Sequence, residues 1–305
     1  MDTLLAIDWG SSALRGALLD ADGKVVDERA VARGMLTVDP GAFGAVFEAN
    51  FGDWMDTRAA RCLMAGMVGS KQGWIEAPYC PCPAGLDEVV ARLMPVPHAA
   101  DGKVRRLAIV PGVTCERGDV PDVMRGEEIK ILGALELLGI ADATIVLPGT
   151  HSKWATVQGG RITAFSTVMS GEFYALLRQH SILARTLPAD DGPLDAAAFD
   201  RGVATALEAG SLMQTAFSVR TLALFERMPA AALPSYLSGL VIGEELRCRP
   251  LDGVGQLVVI GAPVLAERFE RALRGRGIGV RPFGEEAAWR GLWAIHRRAL
   301  ERGGS

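Results

Sequence analysis

The sequence is poor in cysteine, with five cysteines scattered along 305 residues. An odd number of widely spaced cysteines does not build a disulfide framework, and a chain of this length does not need one. We therefore expect reduced thiols. The pair in Cys80-Pro81-Cys82 has no second Cys or His pair at zinc-ligand spacing, so a plain loop is preferred to a zinc site.

An excess of charge of one sign is also absent. Lysine and arginine number 32 against 36 aspartate and glutamate residues, which gives a net charge of −4. This balance offers no strongly basic surface for nucleic acid or for an anionic membrane. The expected partners are small molecules, with a homo-oligomer left open.

Long apolar runs are missing as well. The longest, residues 257–266, has ten residues and includes a proline, whereas crossing a bilayer takes about 20. The first residues carry Asp2 and Asp8 around a short apolar tetrad, without the basic start and long apolar stretch of a signal peptide. These absences predict a cytoplasmic protein.

What the sequence does have is the composition of an ordinary globular protein, with 49% hydrophobic and 22% charged residues. At roughly 150 residues per domain, its length predicts two domains. In the first half, apolar segments predict strands at residues 4–7, 13–19, 24–31, 62–68 and 107–110. A helix is predicted around residues 86–93, and another after Asp39-Pro40, with aromatic residues recurring on one face at Phe43, Phe47, Phe51 and Trp54. This alternation indicates an α/β domain.

The second half repeats the plan of the first. After a helix at residues 127–138, strands are predicted at 144–147, 153–157 and 161–167. Each half thus opens with the same series of elements: a strand, a loop of glycine and hydroxyl residues, a second strand, a glycine turn and a third strand. The two series could also be unrelated meanders of strands. Each of them stands at the start of one half of the chain, however, and this placement favours a duplication. The predicted domains are residues 1–118 and 119–305, with the last helix free to pack back on the first domain.

The rest of the second half is mostly helical, with apolar-periodic stretches at residues 196–227, 233–246 and 285–298. A strand at 256–260 interrupts them. It runs through Gly261-Ala262 into a helix at 264–274, and a strand-glycine-helix junction of this kind can accept a nucleotide.

Two tight turns could carry chemistry, because glycine lets backbone N–H groups approach phosphate oxygens closely. Gly10-Ser11-Ser12 forms the first turn, and Gly149-Thr150-His151 corresponds to it in the second half. Asp8, just before the first turn, is placed to bind Mg²⁺ directly or through water, although an aspartate that caps a turn fits equally well. Arg15 could reach a phosphate oxygen or lie on the surface.

These motifs carry a resemblance to a known superfamily. Asp8-Trp9-Gly10-Ser11-Ser12 with Arg15, the loop Gly149-Thr150, and Val259-Ile260-Gly261-Ala262 resemble the two phosphate motifs and the adenosine motif of the actin, sugar-kinase and heat-shock ATPase superfamily. Four blocks resemble the 2-dehydro-3-deoxygalactonokinase family more closely, at residues 66–74, 124–128, 147–154 and 237–240. The chain departs from the family pattern at Lys71, where arginine is common, and at Ala262, where glycine is common.

The resemblance implies the fold and the reaction. The fold would be two actin-like (ribonuclease H-like) domains with a duplicated βββαβαβα plan flanking an ATP cleft. The reaction would be transfer of the γ-phosphoryl group of ATP, with Mg²⁺, to the 6-hydroxyl of 2-dehydro-3-deoxy-D-galactonate in galactonate catabolism. Such a transfer needs positioning, charge neutralisation and one carboxylate that orients the attacking hydroxyl.

The resemblance also implies roles for individual residues. In related sugar kinases the catalytic carboxylate opens the helix before the second phosphate loop, which makes Glu127 the first choice here and Glu128 the second. The phosphate and adenosine motifs assign ATP contacts to Gly10, Ser11, Ser12, Arg15, Gly149, Thr150, His151, Gly261 and Ala262. The loop after the strand at 62–68 would hold the sugar acid through Ser70, Lys71, Gln72 and Trp74, with Lys71 as the anchor for its carboxylate.

Three alternatives stay open from the sequence. One is another sugar or sugar-acid kinase of this fold, such as one for the gluco epimer. The second is a phosphohydrolase or acyl-phosphate kinase on the same fold. The third is a nucleotide-dependent conformational ATPase of the actin and chaperone type, which would share both phosphate loops but leaves little room for a large appended domain in 305 residues.

Overall fold

The chain divides into two compact units in the computed structural model, which describes residues 3–208 and 210–303. The first unit comprises residues 3–145, Ala155–Ser166 and residues 283–303. The second comprises Val146–Trp154 and Thr167–Pro282. The sequence predicts a domain boundary between residues 118 and 119, where the second copy of the folding plan would start. The division into compact units is based on a different property and does not test this boundary, which stays a prediction.

Strands and helices alternate along most of the described chain. The strands are β1 Leu4–Trp9, β2 Leu14–Leu19, β3 Val25–Val31, β4 Arg61–Ala65, β5 Cys80–Pro81, β6 Met94–Val96, β7 Ala99–Ala100, β8 Lys103–Val104, β9 Leu107–Ile109, β10 Val113–Arg117, β11 Val120–Met124, β12 Ala143–Leu147, β13 Ser152–Gln158, β14 Arg161–Val168, β15 Gln256–Ile260 and β16 Gly279–Phe283. The α-helices are α1 Phe43–Thr57, α2 Leu86–Val90, α3 Glu127–Leu138, α4 Ser170–His180, α5 Ala196–Glu208, α6 Leu212–Thr215, α7 Ser218–Leu224, α8 Leu233–Arg247, α9 Pro263–Arg274 and α10 Glu286–Glu301. Short 3-10 turns occur at Met35–Thr37, Met67–Gly69, Ile182–Arg185 and Ala230–Ala232.

Two sheets share one strand order. The first runs β3-β2-β1-β4-β9-β6, and the second runs β14-β13-β12-β15-β16. In the first sheet β1 pairs antiparallel with β2 and parallel with β4, and β4 pairs parallel with β9. The order of three consecutive strands followed by two later strands therefore occurs twice. This repeat confirms the predicted α/β class with a duplicated plan.

Each face of the first sheet is covered by a helix. Because side chains alternate along a strand, Leu5 and Ile7 point into a core with the aromatic face of α1, and Leu4 and Ala6 point into a core with α10. The predicted face of α1 is buried, but the helix begins at Phe43 and not at Asp39-Pro40. Gly41 has a φ of +84°, a left-handed conformation that interrupts the helix between Pro40 and Phe43.

Helices α3 and α10 cross with their backbones in close contact. A methyl group on Gly133 would lie 1.8 Å from the carbonyl oxygen of Ala287, and one on Gly291 would lie 1.8 Å from that of Ile129. Glycine at both positions is therefore required for this packing. The crossing fixes α3, whose first residues are candidate catalytic groups, against the rest of the first unit.

The second unit is built around α8, which is buried along almost its whole length between α5 and neighbouring helices. The stretch predicted to be helical over residues 196–227 contains α5, α6 and α7, and Ala209 within it lies outside the described residues. All five cysteines are free thiols, as expected. Within the part of the chain that the structure describes, no helix is long and apolar enough to cross a membrane.

Candidate active site

The first predicted phosphate loop is a tight turn that follows β1. The backbone N–H of Gly10 donates to the carbonyl oxygen of Ala13 at 2.9 Å, and the carbonyl of Gly10 accepts from the N–H of Met35 at 2.9 Å. Ser11 and Ser12 are exposed. A methyl group on Gly10 would meet nothing nearer than the carbonyl oxygen of Ala13, at 3.7 Å. The turn is therefore held on one side and has free space beside its glycine.

Asp8 lies beside Gly66, because β1 and β4 are parallel neighbours with Asp8 paired to Ala65. Its side chain is 13% exposed. Gly66 has a φ of +93°, and a methyl group there would lie 2.8 Å from the carbonyl oxygen of Trp9 and 3.2 Å from Oδ1 of Asp8. The strand predicted to run to residue 68 ends at Ala65 for this reason, since the left-handed glycine turns the chain away past the Asp8 carboxylate.

The start of α3 meets the same point. Gly126, the residue before the helix, has a φ of +103°, and a methyl group there would lie 3.3 Å from the Cα of Gly66. The two left-handed glycines bring the end of β4 and the beginning of α3 together. Asp8 and the first residues of α3 are thereby placed in one region of the first unit.

The two glutamates at the start of α3 have different environments. Oε2 of Glu127 accepts from the backbone N–H of Arg125 at 2.9 Å, and the residue is half-buried. Glu128 is fully buried. Its Oε2 accepts from the N–H of Gly126 at 2.7 Å, and its Oε1 has no hydrogen-bond partner among the described residues. Burial, with the neighbouring Glu127 carboxylate as a second cause, raises the pKa of Glu128 to about 8.

Arg15 is engaged with carboxylates. Its Nη2 lies 3.6 Å from Oδ2 of Asp8, and its Nη1 contacts the carboxylate of Glu285, next to the start of α10. The side chain is 31% exposed. The structure thus places Arg15 next to Asp8, where the sequence predicts a phosphate contact.

The predicted sugar-acid loop follows Gly66. Ser70 is buried, and its Oγ has no hydrogen-bond partner among the described side chains and backbone. Lys71 and Gln72 are exposed. Trp74 is half-buried and packs against His98 with ring centroids 5.2 Å apart, and it also contacts Phe47 and Trp9. These ring contacts hold the loop against the core of the first unit.

Arg125 belongs to the block at residues 124–128, but the sequence assigns no role to it. Its Nη2 donates to the carbonyl oxygen of Ala77 at 2.8 Å, and its guanidinium carbon lies 4.3 Å from the centre of the Tyr79 ring. Its Nε and Nη1 are buried without a hydrogen-bond partner in residues 3–208 and 210–303. An arginine between a methionine and a glycine gives no sequence signal of burial, because its surroundings come from a segment far away in the chain.

The second predicted phosphate loop is a turn between β12 and β13 in the second unit, and the N-terminus of α4 supports it. The N–H of Glu172 donates to the carbonyl oxygen of Thr150 at 3.0 Å, and a methyl group on Gly171 would lie 2.4 Å from the carbonyl oxygen of Gly149. Nε2 of His151 lies 2.6 Å from Oε2 of Glu172. A methyl group on Gly149 would meet nothing within 4 Å, so this turn too has free space beside its glycine.

The adenosine motif adjoins that loop within the second unit. A methyl group on Gly261 would lie 3.4 Å from the carbonyl oxygen of Pro148. Ala262 is the exposed residue before α9, which begins with Pro263, and its carbonyl oxygen accepts from the N–H of Leu265 at 3.0 Å. The structure brings together these two segments, for which the sequence predicts contacts with one nucleotide.

Some residues of the four blocks have structural partners. Trp154 donates to Oε1 of Glu245 at 2.6 Å, and Lys153 donates to Oγ1 of Thr167 at 2.7 Å. In the block at 237–240, a methyl group on Gly239 would lie 2.2 Å from the carbonyl oxygen of Phe199, so this glycine permits the crossing of α5 and α8. The blocks at 147–154 and 237–240 therefore make packing contacts within the second unit, and the first of them also contains the second predicted phosphate loop.

Among the described residues, no group of three or more His, Cys, Asp or Glu side chains is placed to hold a metal ion. A metal ion bound mainly by substrate oxygens and water needs fewer protein ligands.

Comparison with known proteins gives a consistent result. Residues 8–295 match the family described as 2-keto-3-deoxy-galactonokinase. The chain is 34% identical over 298 residues to the probable 2-dehydro-3-deoxygalactonokinase DgoK1 of Rhizobium meliloti, covering 96% of each chain. It is 32% identical to the 2-dehydro-3-deoxygalactonokinase of Escherichia coli, covering 90% of this chain and 91% of that one.

A solved structure is similar over nearly the same length. It is a crystal structure of a putative 2-dehydro-3-deoxygalactonokinase protein from Sinorhizobium meliloti, 33% identical to this chain with a TM-score of 0.87. The match covers 97% of this chain and 98% of that chain.

Proposed function

Since the chain belongs to the 2-keto-3-deoxy-galactonokinase family, we propose that it transfers the γ-phosphoryl group of ATP to the 6-hydroxyl of 2-dehydro-3-deoxy-D-galactonate, a reaction of galactonate catabolism. The observation that carries the proposal is the meeting of Asp8, Gly66 and Gly126 at the start of α3. This meeting brings a carboxylate beside a phosphate-type turn to the same region as the glutamates that open the helix. ATP as the phosphoryl donor also fits the cytoplasmic location that the sequence predicts.

The nucleotide contacts are assigned to backbone N–H groups. Phosphate oxygens would contact the turns at Gly10-Ser11-Ser12 and Gly149-Thr150-His151, with Arg15 as a further cation. Gly261 and Ala262 would contact the adenosine. The free space beside Gly10 and Gly149 supports this assignment, because a side chain at either position would occupy it.

Asp8 is assigned to Mg²⁺. Magnesium ions commonly use one or two protein carboxylates and complete their octahedral shell with phosphate oxygens and water, so a single aspartate beside the turn fits the ion. The Asp8 side chain is 13% exposed, so it is accessible yet held beside Gly66. When bound, Mg²⁺ neutralises charge on the transferred phosphoryl group. Arg15 adds a positive charge 3.6 Å from the same carboxylate.

Glu127 is the first candidate for the carboxylate that orients the sugar hydroxyl and accepts its proton, and Glu128 is the second. A group with this role has to be within hydrogen-bond reach of the substrate. The half-burial of Glu127 supports the first choice, and the complete burial of Glu128 counts against the second. The hydrogen bond from Gly126 to Glu128 would then help to hold the turn that presents Glu127.

The sugar acid is assigned to the loop after Gly66. Ser70, Lys71, Gln72 and Trp74 remain its candidate contacts. The packing of Trp74 on Phe47 and His98 supports a loop held in one conformation, which favours a defined binding surface.

The proposal is tested by the release of ADP in the presence of ATP and Mg²⁺, with and without a panel of 2-keto-3-deoxy sugar acids. We expect ADP release to depend on the acid and the product to carry phosphate on its terminal hydroxyl, as seen by ³¹P NMR. ADP release at the same rate without any acid would contradict the proposal and favour a conformational ATPase or a phosphohydrolase.

A further inference from the structure

The first unit contains a half-buried arginine, with two buried nitrogen atoms, that the proposed mechanism does not use. Arg125 is enclosed by the carbonyl oxygen of Ala77, which accepts from its Nη2 at 2.8 Å, and by the ring of Tyr79. Its Nε and Nη1 are buried, and neither has a hydrogen-bond partner in the described chain. Burial of a charged group with unmade hydrogen bonds is costly, so such donors point to an anion that binds there.

A second unpartnered group belongs to the residue after Gly69, which this arginine approaches. Ser70 is 8% exposed, and its buried Oγ has no hydrogen-bond partner among the described residues. A methyl group on the preceding residue, Gly69, would lie 3.0 Å from Nη1 of Arg125. The glycine therefore lets the guanidinium approach the backbone next to Ser70. Two segments that are far apart in the sequence, each with an unpartnered polar group, thus come close together at Gly69.

We infer that Arg125 and Ser70 form the subsite for the C1 carboxylate of the sugar acid, an inference that rests on the proposed function. Guanidinium groups form strong charge-assisted hydrogen bonds with carboxylates, and a serine hydroxyl can donate a further one. Arg125 directly precedes the Gly126-Glu127 pair. The same turn would therefore present the cation for the acid end of the substrate and the carboxylate for its hydroxyl end.

This assignment moves the anchor away from Lys71. The Lys71 side chain is exposed, and an exposed, hydrated ammonium gains little from pairing with a carboxylate in water. Arg125 is already partly desolvated and held by Ala77 and Tyr79. Less side-chain freedom is lost when it binds an anion.

The test compares the sugar acid with its uncharged C1 amide as phosphoryl acceptors. In Arg125→Met the KM for the acid should rise by about 10- to 100-fold, the range for loss of a hydrogen bond to a charged group. The KM for the amide and the KM for ATP should stay close to those of the wild type. Ser70→Ala should raise the KM for the acid by a smaller factor in the same direction, and it provides the test should Arg125→Met fail to fold.

The matched control is Arg29→Met. Arg29 also lies over an aromatic ring, 4.1 Å from the centre of Trp54, but its guanidinium is paired with Asp53 at 2.6 Å. The same substitution there removes a stacked arginine without removing an unpartnered donor. We expect Arg29→Met to leave the ratio of acid to amide turnover unchanged.

The outcomes separate the two claims. A wild-type enzyme that phosphorylates no sugar acid overturns the proposed function, and the subsite with it. A wild-type enzyme that prefers the acid, together with Arg125→Met and Ser70→Ala variants that keep the same preference, overturns the subsite alone. If Arg125→Met raised only the KM for ATP, the anion bound at Arg125 would belong to the nucleotide. If only Lys71→Met lost the preference for the acid over the amide, Lys71 would be the residue that binds the C1 carboxylate. Either result overturns the inference.

Discussion

Gly66 and Gly126 face each other so closely that a methyl group on Gly126 would lie 3.3 Å from the Cα of Gly66. Both residues have positive φ, +93° and +103°. Gly66 begins the turn that leads the chain past Asp8, and Gly126 precedes the helix that begins with Glu127. This contact is the reason that two carboxylates more than a hundred positions apart in the sequence belong to one region.

Substitution of Gly126 should therefore impair both stability and turnover. Gly126→Ala forces a side chain into the left-handed region and should cost about 1–2 kcal/mol of unfolding free energy. Because the turn also positions Glu127, kcat should fall as well. Gly118→Ala is the matched control, since Gly118 also has a positive φ, +62°, but a methyl group there meets nothing within 4 Å. It should lose stability by a similar amount in urea unfolding while keeping kcat. Equal kcat values in the two variants would contradict the positioning role of the turn.

Glu127→Gln should lower kcat by about 10²- to 10⁴-fold, the range for loss of a general base. Nucleotide affinity should stay nearly unchanged, because the phosphate contacts are assigned to other segments. Glu128→Gln should have a milder effect on kcat. Steady-state kinetics at saturating ATP, together with nucleotide titration, measure both. If kcat fell strongly in Glu128→Gln and stayed near the wild-type value in Glu127→Gln, the general base would be Glu128 and not Glu127.

The buried Glu128 should make stability depend on pH. Its folded pKa, about 8, lies above the ordinary value of 4.5. The folded protein therefore holds this proton more tightly than the unfolded chain does, and the free energy of unfolding should fall as pH rises from about 4.5 to about 8. In Glu128→Gln the group cannot ionise, so this part of the slope should disappear.

Chemical unfolding at pH 5 and pH 8 measures that slope. Glu128→Gln should gain stability relative to the wild type at pH 8, by an amount of order 1–4 kcal/mol at about 1.4 kcal/mol per pKa unit. Glu116→Gln, a change at an exposed glutamate, should keep the wild-type slope. An identical slope in Glu128→Gln and the wild type would show that Glu128 does not carry the effect.

The elements predicted best from the sequence are those whose ends have local signals. Helix α3 has the predicted bounds because glycines with left-handed backbone flank it, at Gly126 and Gly139. Strand β15 also has the predicted bounds, since an apolar run there ends at Gly261. The repeated plan was predictable because each copy places a glycine-hydroxyl turn after its first strand.

Other features depend on contacts between distant segments. In the small sheet of β11, β10 and β5, the strands are short or polar and two of them contain proline, so their pairing does not follow from apolar periodicity. Arg125 is enclosed by Ala77 and Tyr79, more than forty positions earlier in the chain. Trp74 belongs to a predicted binding block, yet many of its contacts are with core rings such as Phe47. Motif spacing cannot separate these packing roles from binding.

The central claim is tested most directly by ADP release with purified 2-dehydro-3-deoxy-D-galactonate and with its gluco epimer as alternative acceptors, at equal ATP and Mg²⁺ concentrations. Asp8→Asn serves as the negative control. Loss of the carboxylate proposed to bind Mg²⁺ should sharply reduce turnover while the fold is kept. We predict rapid, acid-dependent ADP release by the wild type with a higher kcat/KM for the galacto acid, and little release by Asp8→Asn. Release independent of either acid, or equal rates in the wild type and Asp8→Asn, would contradict the account.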